Sequence, residues 1–227
     1  MLKLTKNESH LWLVNAKIYS RLNKLFILKN TLSKDEQDKY GKYINYMSKR
    51  NYILGKFLTR IILTKYDQSK RPSQWRFRFT KYNKPIIKES NLKFNISHSG
   101  DYIAILISHF QCGVDIEDRI TAKEYKANIH RFLHPYEYRA IRDNNYYNLL
   151  FLRVWTKKEA YVKALGLGMH KDFTSFSTIS KEGNDEIIDN IKVRGAYFST
   201  TNEKYICSGF ILDPNFKDEK IVRVFKL

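Results

Sequence analysis

Asp115 and Glu117 alternate with Val114 and Ile116 in the run Gly113-Val114-Asp115-Ile116-Glu117. A period of two belongs to a strand, and it puts both carboxylates on one face, about 7 Å apart. Like charges held side by side repel, so such a pair calls for a cation or a raised pKa. Further on, Trp155-Thr156-Lys157-Lys158-Glu159-Ala160-Tyr161-Val162-Lys163 reads as a helix, with Glu159 and Lys163 one turn apart on one side. If that helix packs beside the strand, three carboxylates and one ammonium can surround a hydrated Mg²⁺ and a phosphate. The chemistry is phosphate chemistry. Each part alone has an ordinary reading: a solvated strand face, a surface ion pair, and in Trp155 a packing residue. His98, in Ser97-His98-Ser99-Gly100-Asp101, is by composition a turn residue.

The elements that must position these groups are legible in outline. Leu11 to Tyr19 reads as a strand, and Ser33 with Glu36 has the spacing of a capping box at a helix start. A helix through Arg50 to Tyr66 has Ile53, Phe57 and Ile61 on one face. Trp75 to Phe79 and Leu92 to Ile96 alternate as strands, and Tyr102 to Ile107 is apolar throughout, as in a central strand. In the second half, Thr121 and Glu124 form another capping box, Pro135 opens a helix, and the helix through Trp155 to Leu165 stops at Gly166. Strands are expected near Phe173–Ile179, Ile191–Phe198, Tyr205–Leu212 and Ile221–Phe225. The class is α+β, antiparallel sheets with packed helices, divided near Ser108 to Gly113 into lobes 1–110 and 111–227.

Across its 227 residues the chain carries a formal charge of +18, which suits a polyanionic ligand or an acidic partner. Cys112 and Cys207 each lie in apolar sequence and read as buried free thiols. The N-terminal residues, interrupted by Lys3, Lys6, Glu8 and His10, contain no signal-peptide run, and no stretch has the length of a membrane span. The expectation is a cytoplasmic protein. No Cys/His spacing suggests zinc, and no Gly-rich phosphate loop is present.

Three segments, taken in order, make the chain recognisable. Phe94-Asn95-Ile96-Ser97-His98-Ser99-Gly100, then Gly113 to Glu117, then Trp155 to Gly166 resemble the signature of the 4′-phosphopantetheinyl transferases, in their monomeric, broad-specificity (Sfp-type) class. Upstream, Arg50 through Gly55 to Arg60 is similar to the family's basic helix, and Lys81 to Pro85 to its lysine-proline turn. The resemblance implies two similar α+β lobes related by a pseudo-twofold axis, with coenzyme A in the cleft between them. It implies transfer of phosphopantetheine from coenzyme A to a serine of an apo acyl or peptidyl carrier protein, releasing 3′,5′-ADP. By the same resemblance Asp115, Glu117 and Glu159 stand at the Mg²⁺ ligands, and Lys163 at the pyrophosphate-binding lysine. Ser97 and His98 stand at nucleotide-phosphate contacts, and Lys84 and Pro85 at the adenosine. Arg50 is a phosphate-ligand candidate, although its spacing to Gly55 is one residue longer than the family's; Lys39 and Lys42 are further contributors. Asn83 stands where the family has glycine.

Either Glu159, directly or through a metal-bound water, or His98 would accept the serine proton. The stretch from Ile120 to Ala140, with Lys123, Lys126, Arg131 and Arg139 among Tyr125, Ile129, Phe132 and Leu133, is a candidate docking face for an acidic carrier. The expected partners are coenzyme A and the carrier protein, with no nucleic acid and no membrane. Two other classes use the same residues differently. A Mg²⁺-dependent nuclease would use the same four charged groups, and a nucleic-acid module would stack bases on Trp75 to Tyr82. Thermal stabilisation by coenzyme A with Mg²⁺, as against oligonucleotides, separates the three.

Overall fold

The computed structural model describes residues 1–19, 28–120, 131–142, 144–214 and 221–227. Strand β1 (Glu8–Asn15) buries seven of its eight residues, so it must be covered on both faces. Leu11 and Leu13 face one way and Trp12 and Val14 the other, into different cores. After β1 come helices α1 (Lys34–Gly41) and α2 (Tyr46–Tyr66) and the short strands β2 (Arg78–Phe79) and β3 (Pro85–Ile86). Three longer strands follow: β4 (Lys93–Ser99), β5 (Tyr102–Ser108) and β6 (Cys112–Asp118). The second half contains α3 (Pro135–Arg142), α4 (Tyr147–Leu165), β7 (Ser177–Ile179), β8 (Asp185–Ile188), β9 (Gly195–Thr201), β10 (Tyr205–Leu212) and β11 (Ile221–Lys226).

Two sheets meet back to back. The first has the order β11-β1-β5-β4 and the second β6-β10-β9. On the outer face of the first, Leu54, Leu58 and Ile62 of α2 pack against Trp12, Phe94, Ile103 and Ile105. Between the sheets, Leu11, Leu13 and Leu106 meet Val114, Ile116, Cys207 and Ile211. On the far face of the second sheet, Ala160 and Tyr161 of α4 pack on Phe210. Burial on both faces explains why β5 is an uninterrupted apolar run. The chain is therefore α+β, one long helix laid on each of two sheets.

Local signals hold where the chemistry is local. Ser33 and Glu36 form the expected capping box at α1. Gly166 ends α4 in the left-handed conformation at φ 74°, where a Cβ would be strained. Several boundaries differ from the sequence reading. Tyr19 ends a 3₁₀ turn (Ala16–Tyr19) that follows β1, because the ladder with β5 is finished at Asn15. Trp75 is buried against α2, so only Arg78 and Phe79 pair as a strand. Strand β4 runs on through His98 to Ser99, leaving Gly100 and Asp101 as the turn. Phe173 to Ser175 is a 3₁₀ turn, and β8 was not anticipated.

The last strand is the largest departure. β11 pairs in parallel with β1, Glu8 opposite Ile221, so residues 221–226 return to the first sheet despite lying beyond residue 111. The capping box of Thr121 and Glu124, together with Lys123, Tyr125, Lys126 and Ile129 of the expected docking face, lies outside the described residues. Of the rest of that face, Leu133 is buried, while Arg131 and Arg139 are exposed.

A candidate phosphate-transfer site

Gly113, Asp115 and Glu117 point from one face of β6 toward α4, because Val114 and Ile116 are claimed by the core between the sheets. Helix α4 comes so close at Gly113 that a Cβ there would lie 2.0 Å from the Ala160 carbonyl oxygen. That approach sets Lys163 over Asp115, with Nζ donating to Oδ1 at 2.6 Å and Glu159 Oε2 3.9 Å away. One turn and more toward the helix start, the Trp155 indole donates to Glu117 Oε1 at 3.3 Å. Trp155, read as a packing residue, is thus also a positioning residue at the cleft.

The opposite side is supplied by β4. Its alternate residues Asn95, Ser97 and Ser99 reach across to β6 in a ladder of side chains. Asn95 Oδ1 accepts from the Val114 amide, Ser97 donates to Asp115 Oδ1 at 2.7 Å, and Ser99 donates to Glu117 Oε2 at 2.7 Å. Ser97 Oγ also accepts from Lys163 at 3.0 Å. Asn95 and Ser99 were not singled out from sequence; their period-two spacing with Ser97 was the available signal.

These groups border a cleft of about 430 Å³. Residues before Gly113 contribute Lys39, Asn51, Lys56, Pro85, Ser97 and His98 among others, and residues after it contribute Asp115, Glu117, Trp155, Glu159 and Lys163. The structure therefore brings together Pro85, Ser97, His98, Asp115, Glu117, Glu159 and Lys163. It does not bring Arg50 or Lys84 to the cleft lining. The Arg50 guanidinium holds the β4–β5 turn, donating to Asp101 at 2.7 Å, to the Gly100 carbonyl and to Asn51. Its neighbour Asn51 lines the cleft instead, in keeping with the one-residue excess in spacing, since a helix turns its face by about 100° per residue.

Lys84 is buried between β3, the start of β6 and the end of α4. Its ammonium donates to Gln111, to the Cys112 carbonyl and to the Ala164 carbonyl at the end of α4. A cation at a helix C-terminus satisfies carbonyls that have no partner within the helix. Asn83, where glycine was expected, has φ 61°, a left-handed conformation that asparagine tolerates better than most residues. Behind α4, Lys158 and Glu137 form a fully buried pair at 2.6 Å. Lys158 is thereby part of the scaffold.

The electrostatics are those of a site short of positive charge. Burial first, and the Asp115 carboxylate second, push Glu117 up to about 7, against Ser99, Lys163 and Trp155. Burial likewise raises Glu159, with Lys163 opposing. Burial works against the charge on Lys163, but Asp115 and Glu159 outweigh it and hold its pKa above the ordinary value. His98 stands exposed on the cleft side of β4, yet desolvation by the cleft walls, and then the Lys163 ammonium, keep its pKa below the usual histidine value.

Asp115 Oδ2 is buried and has no hydrogen-bond partner. A carboxylate oxygen left so is costly unless a cation takes it. Among the described residues no three carboxylate, histidine or cysteine side chains close into a ready-made cage. A hard ion such as Mg²⁺ needs no such cage, because it is bound by a small number of protein carboxylates and completes its shell with water and phosphate oxygens. Asp115 and Glu117, with Glu159 facing them, fit such an ion.

The crowding has a testable consequence. A carboxyl raised in the fold keeps its proton after the unfolded chain has lost its own. Its unfavourable contribution therefore grows from about pH 4.5 to about 7 and is constant above. Glu117→Gln is expected to raise the melting temperature of chelator-treated protein by about 2–4 °C at pH 8. The gain should fade as pH falls toward 5; an equal gain at both pH values would detach it from this carboxylate.

Comparison with known proteins gives one answer throughout. The sequence model of the 4′-phosphopantetheinyl transferase superfamily matches residues 111–210, and that described as 4′-phosphopantetheinyl transferase, N-terminal, matches residues 21–110. The 4′-phosphopantetheinyl transferase HetI of Nostoc sp. (strain PCC 7120 / SAG 25.82 / UTEX 2576) is 32% identical over 177 residues, covering 75% of this chain and 73% of HetI. The 4′-phosphopantetheinyl transferase gsp of Aneurinibacillus migulanus is 32% identical over 151 residues, 66% of this chain and 62% of gsp. The 4′-phosphopantetheinyl transferase Sfp of Bacillus subtilis (strain 168) is 28% identical over 150 residues, 64% of this chain and 65% of Sfp. The match thus spans a little under two thirds of gsp and of Sfp.

Proposed function

The chain belongs to the 4′-phosphopantetheinyl transferases, and on that premise we propose that it moves phosphopantetheine from coenzyme A to a serine hydroxyl of an apo acyl or peptidyl carrier protein. The serine oxygen forms a bond to the phosphorus that bears pantetheine, the bridging P–O bond breaks, and 3′,5′-ADP leaves with the electron pair. The observation that carries the reading is Asp115. One of its oxygens is held by Ser97 and Lys163, while the other is buried without a hydrogen-bond partner in the wall of a cleft that Glu117 also lines.

Each residue then has a task. Asp115, Glu117 and Glu159 would hold Mg²⁺, which when bound supplies positive charge to the phosphates and the leaving 3′,5′-ADP. Lys163, fixed by Asp115 and Ser97, adds a second positive charge at the pyrophosphate, where it counts most as the bond breaks. Glu159, with its pKa raised by burial, accepts the serine proton at neutral pH more readily than an ordinary carboxylate. Ser97 and Pro85 shape the cleft wall, with His98 facing the nucleotide phosphates. Residues of this one chain line both walls of the cleft, which supports action as a monomer. Among the described residues no helix is long and apolar enough to cross a membrane. The two free buried cysteines accord with a reducing, cytoplasmic setting.

The test is intact-mass analysis of a panel of apo carrier proteins incubated with the chain, coenzyme A and Mg²⁺. Gain of one phosphopantetheine is expected, abolished by excess chelator and restored by Mg²⁺. A panel left unmodified would overturn the activity, and turnover indifferent to chelation would remove the metal. His98→Ala separates the two proton acceptors. With His98 as a phosphate contact, KM for coenzyme A rises more than kcat falls. An unchanged KM with a large loss of kcat would make His98 the base.

A further inference from the structure

Two serines of β4 answer the two carboxylates of β6 in register. Ser97 donates to Asp115, which the Lys163 ammonium also holds. Glu117 is held instead by two neutral donors, Ser99 to Oε2 at 2.7 Å and the Trp155 indole to Oε1 at 3.3 Å. One donor on each oxygen leaves further lone pairs open, as a metal ligand requires. The two carboxylates lie two residues apart on one face of β6, where like charges repel. A glutamate side chain has several torsions through which to yield to that repulsion, so something must hold it in place.

Ser99 is itself fixed from several directions. Its Oγ accepts the Asp118 amide at 3.1 Å, at the end of β6, and that bond leaves the hydroxyl proton for Glu117. Gly100, next in the chain, is left-handed at φ 53°. It comes so close to β6 that a Cβ there would lie 2.2 Å from Asp118 Oδ2. From the other side, α2 ties down the same turn: Asn51 donates to the Gly100 carbonyl at 2.8 Å and Arg50 to Asp101 at 2.7 Å. The hydroxyl therefore reaches Glu117 from a rigid mount. Without it, only the longer Trp155 contact would oppose the repulsion from Asp115.

We propose that Ser99 is a positioning residue of the divalent-ion site, holding the Glu117 carboxylate in the cleft with that of Asp115 so that both can serve one ion. Hydrogen-bond partners of metal ligands typically set affinity by about 10–100-fold. Mg²⁺ sharpens the demand, because it tolerates little departure from octahedral geometry. The inference rests on the transferase reading, in which that ion is Mg²⁺, and adds a residue that acts through Glu117 alone.

The test titrates Mg²⁺ by calorimetry into the chain saturated with 3′,5′-ADP. It compares wild type, Ser99→Ala, Ser99→Thr, Glu117→Gln and the Ser99→Ala/Glu117→Gln double variant. Ser99→Ala is expected to weaken Mg²⁺ binding by about tenfold or more, and Ser99→Thr, which keeps the hydroxyl, to retain most of the affinity. In the Glu117→Gln background the same alanine should cost little, because the carboxylate it serves is already gone. The Mg²⁺ concentration for half-maximal turnover should rise in Ser99→Ala by the same factor, with KM for coenzyme A unchanged at saturating Mg²⁺. If the alanine variant does not fold, Ser99→Cys, a weak donor of similar size, reads the same loss. Wild-type Mg²⁺ affinity in Ser99→Ala, or an equal loss with and without the Glu117 carboxylate, would overturn the proposal, as would a wild type that takes up no Mg²⁺. A wild type that binds Mg²⁺ but modifies no carrier protein would instead overturn the transferase reading, while the binding ratios still judge Ser99.

Discussion

Glu159→Ala is expected to lower kcat for carrier-protein modification by about 10³-fold or more, with a melting temperature within about 2 °C of wild type. The two halves of this expectation have different origins. Little stability is at stake, because Glu159 makes one distant ion pair, 3.9 Å to Lys163, and its buried carboxylate is held in an environment that disfavours its charge. A group kept at such expense with so little structural return is characteristic of a reacting site. Activity is at stake because the same carboxylate serves as metal ligand and proton acceptor in the proposed reaction. Asp115→Asn offers the contrast. It keeps the size and the Ser97 contact but removes the charge that fixes Lys163, so both turnover and stability should fall. Glu159→Ala with kcat within tenfold of wild type would strip Glu159 of both roles.

The site was legible in the sequence to the degree that its parts are local. Asp115 and Glu117 alternate within five residues, and Glu159 and Lys163 lie one helical turn apart, so periodicity alone sets their faces. The capping box at Ser33 and the stop at Gly166 are likewise decided by neighbours in the chain. What the sequence could not show is where long side chains end. Lys84, Lys158 and Lys56 look alike as lysines, yet one clasps carbonyls of β6 and α4, one neutralises Glu137 in the core, and one borders the cleft. The outcome depends on partners 27 to 80 residues away for Lys84 and 21 away for Lys158. Arg50 shows the same limit at finer scale: a shift of one helical position exchanges a cleft residue for one that ties a turn. Strand β11 pairs across almost the whole chain with β1, and no local pattern announces a partner at that separation. Trp155 was half legible. Its bulk marks a packing residue, but its indole N–H, which steadies Glu117, needs the fold to find its acceptor.

Gly113→Ala should be damaging out of proportion to one methyl group. The added Cβ would stand 2.0 Å from the Ala160 carbonyl oxygen and 2.4 Å from the Ala164 nitrogen, both of them helix backbone. A flexible side chain could swing away from such contacts; a hydrogen-bonded helix has to move as a body, by about 1 Å or more to reach ordinary separation. Overpacking of this kind costs about 1–3 kcal/mol or more, which is about 2–12 °C in melting temperature for a chain of this size. The functional loss should be larger still. Helix α4 carries Glu159 and Lys163, while β6 carries Asp115 and Glu117, so the displaced helix draws the two halves of the site apart. A misplacement of about 1 Å in a reacting constellation costs about 10²-fold in rate. The expected result is kcat/KM reduced by about 10²-fold at a temperature where circular dichroism still shows a folded protein. Gly41→Ala is the control, because nothing lies within 4 Å of the Cβ it would add, and both readouts should stay near wild type. Wild-type melting and turnover in Gly113→Ala would mean that the spacing of β6 and α4 is not what assembles this site.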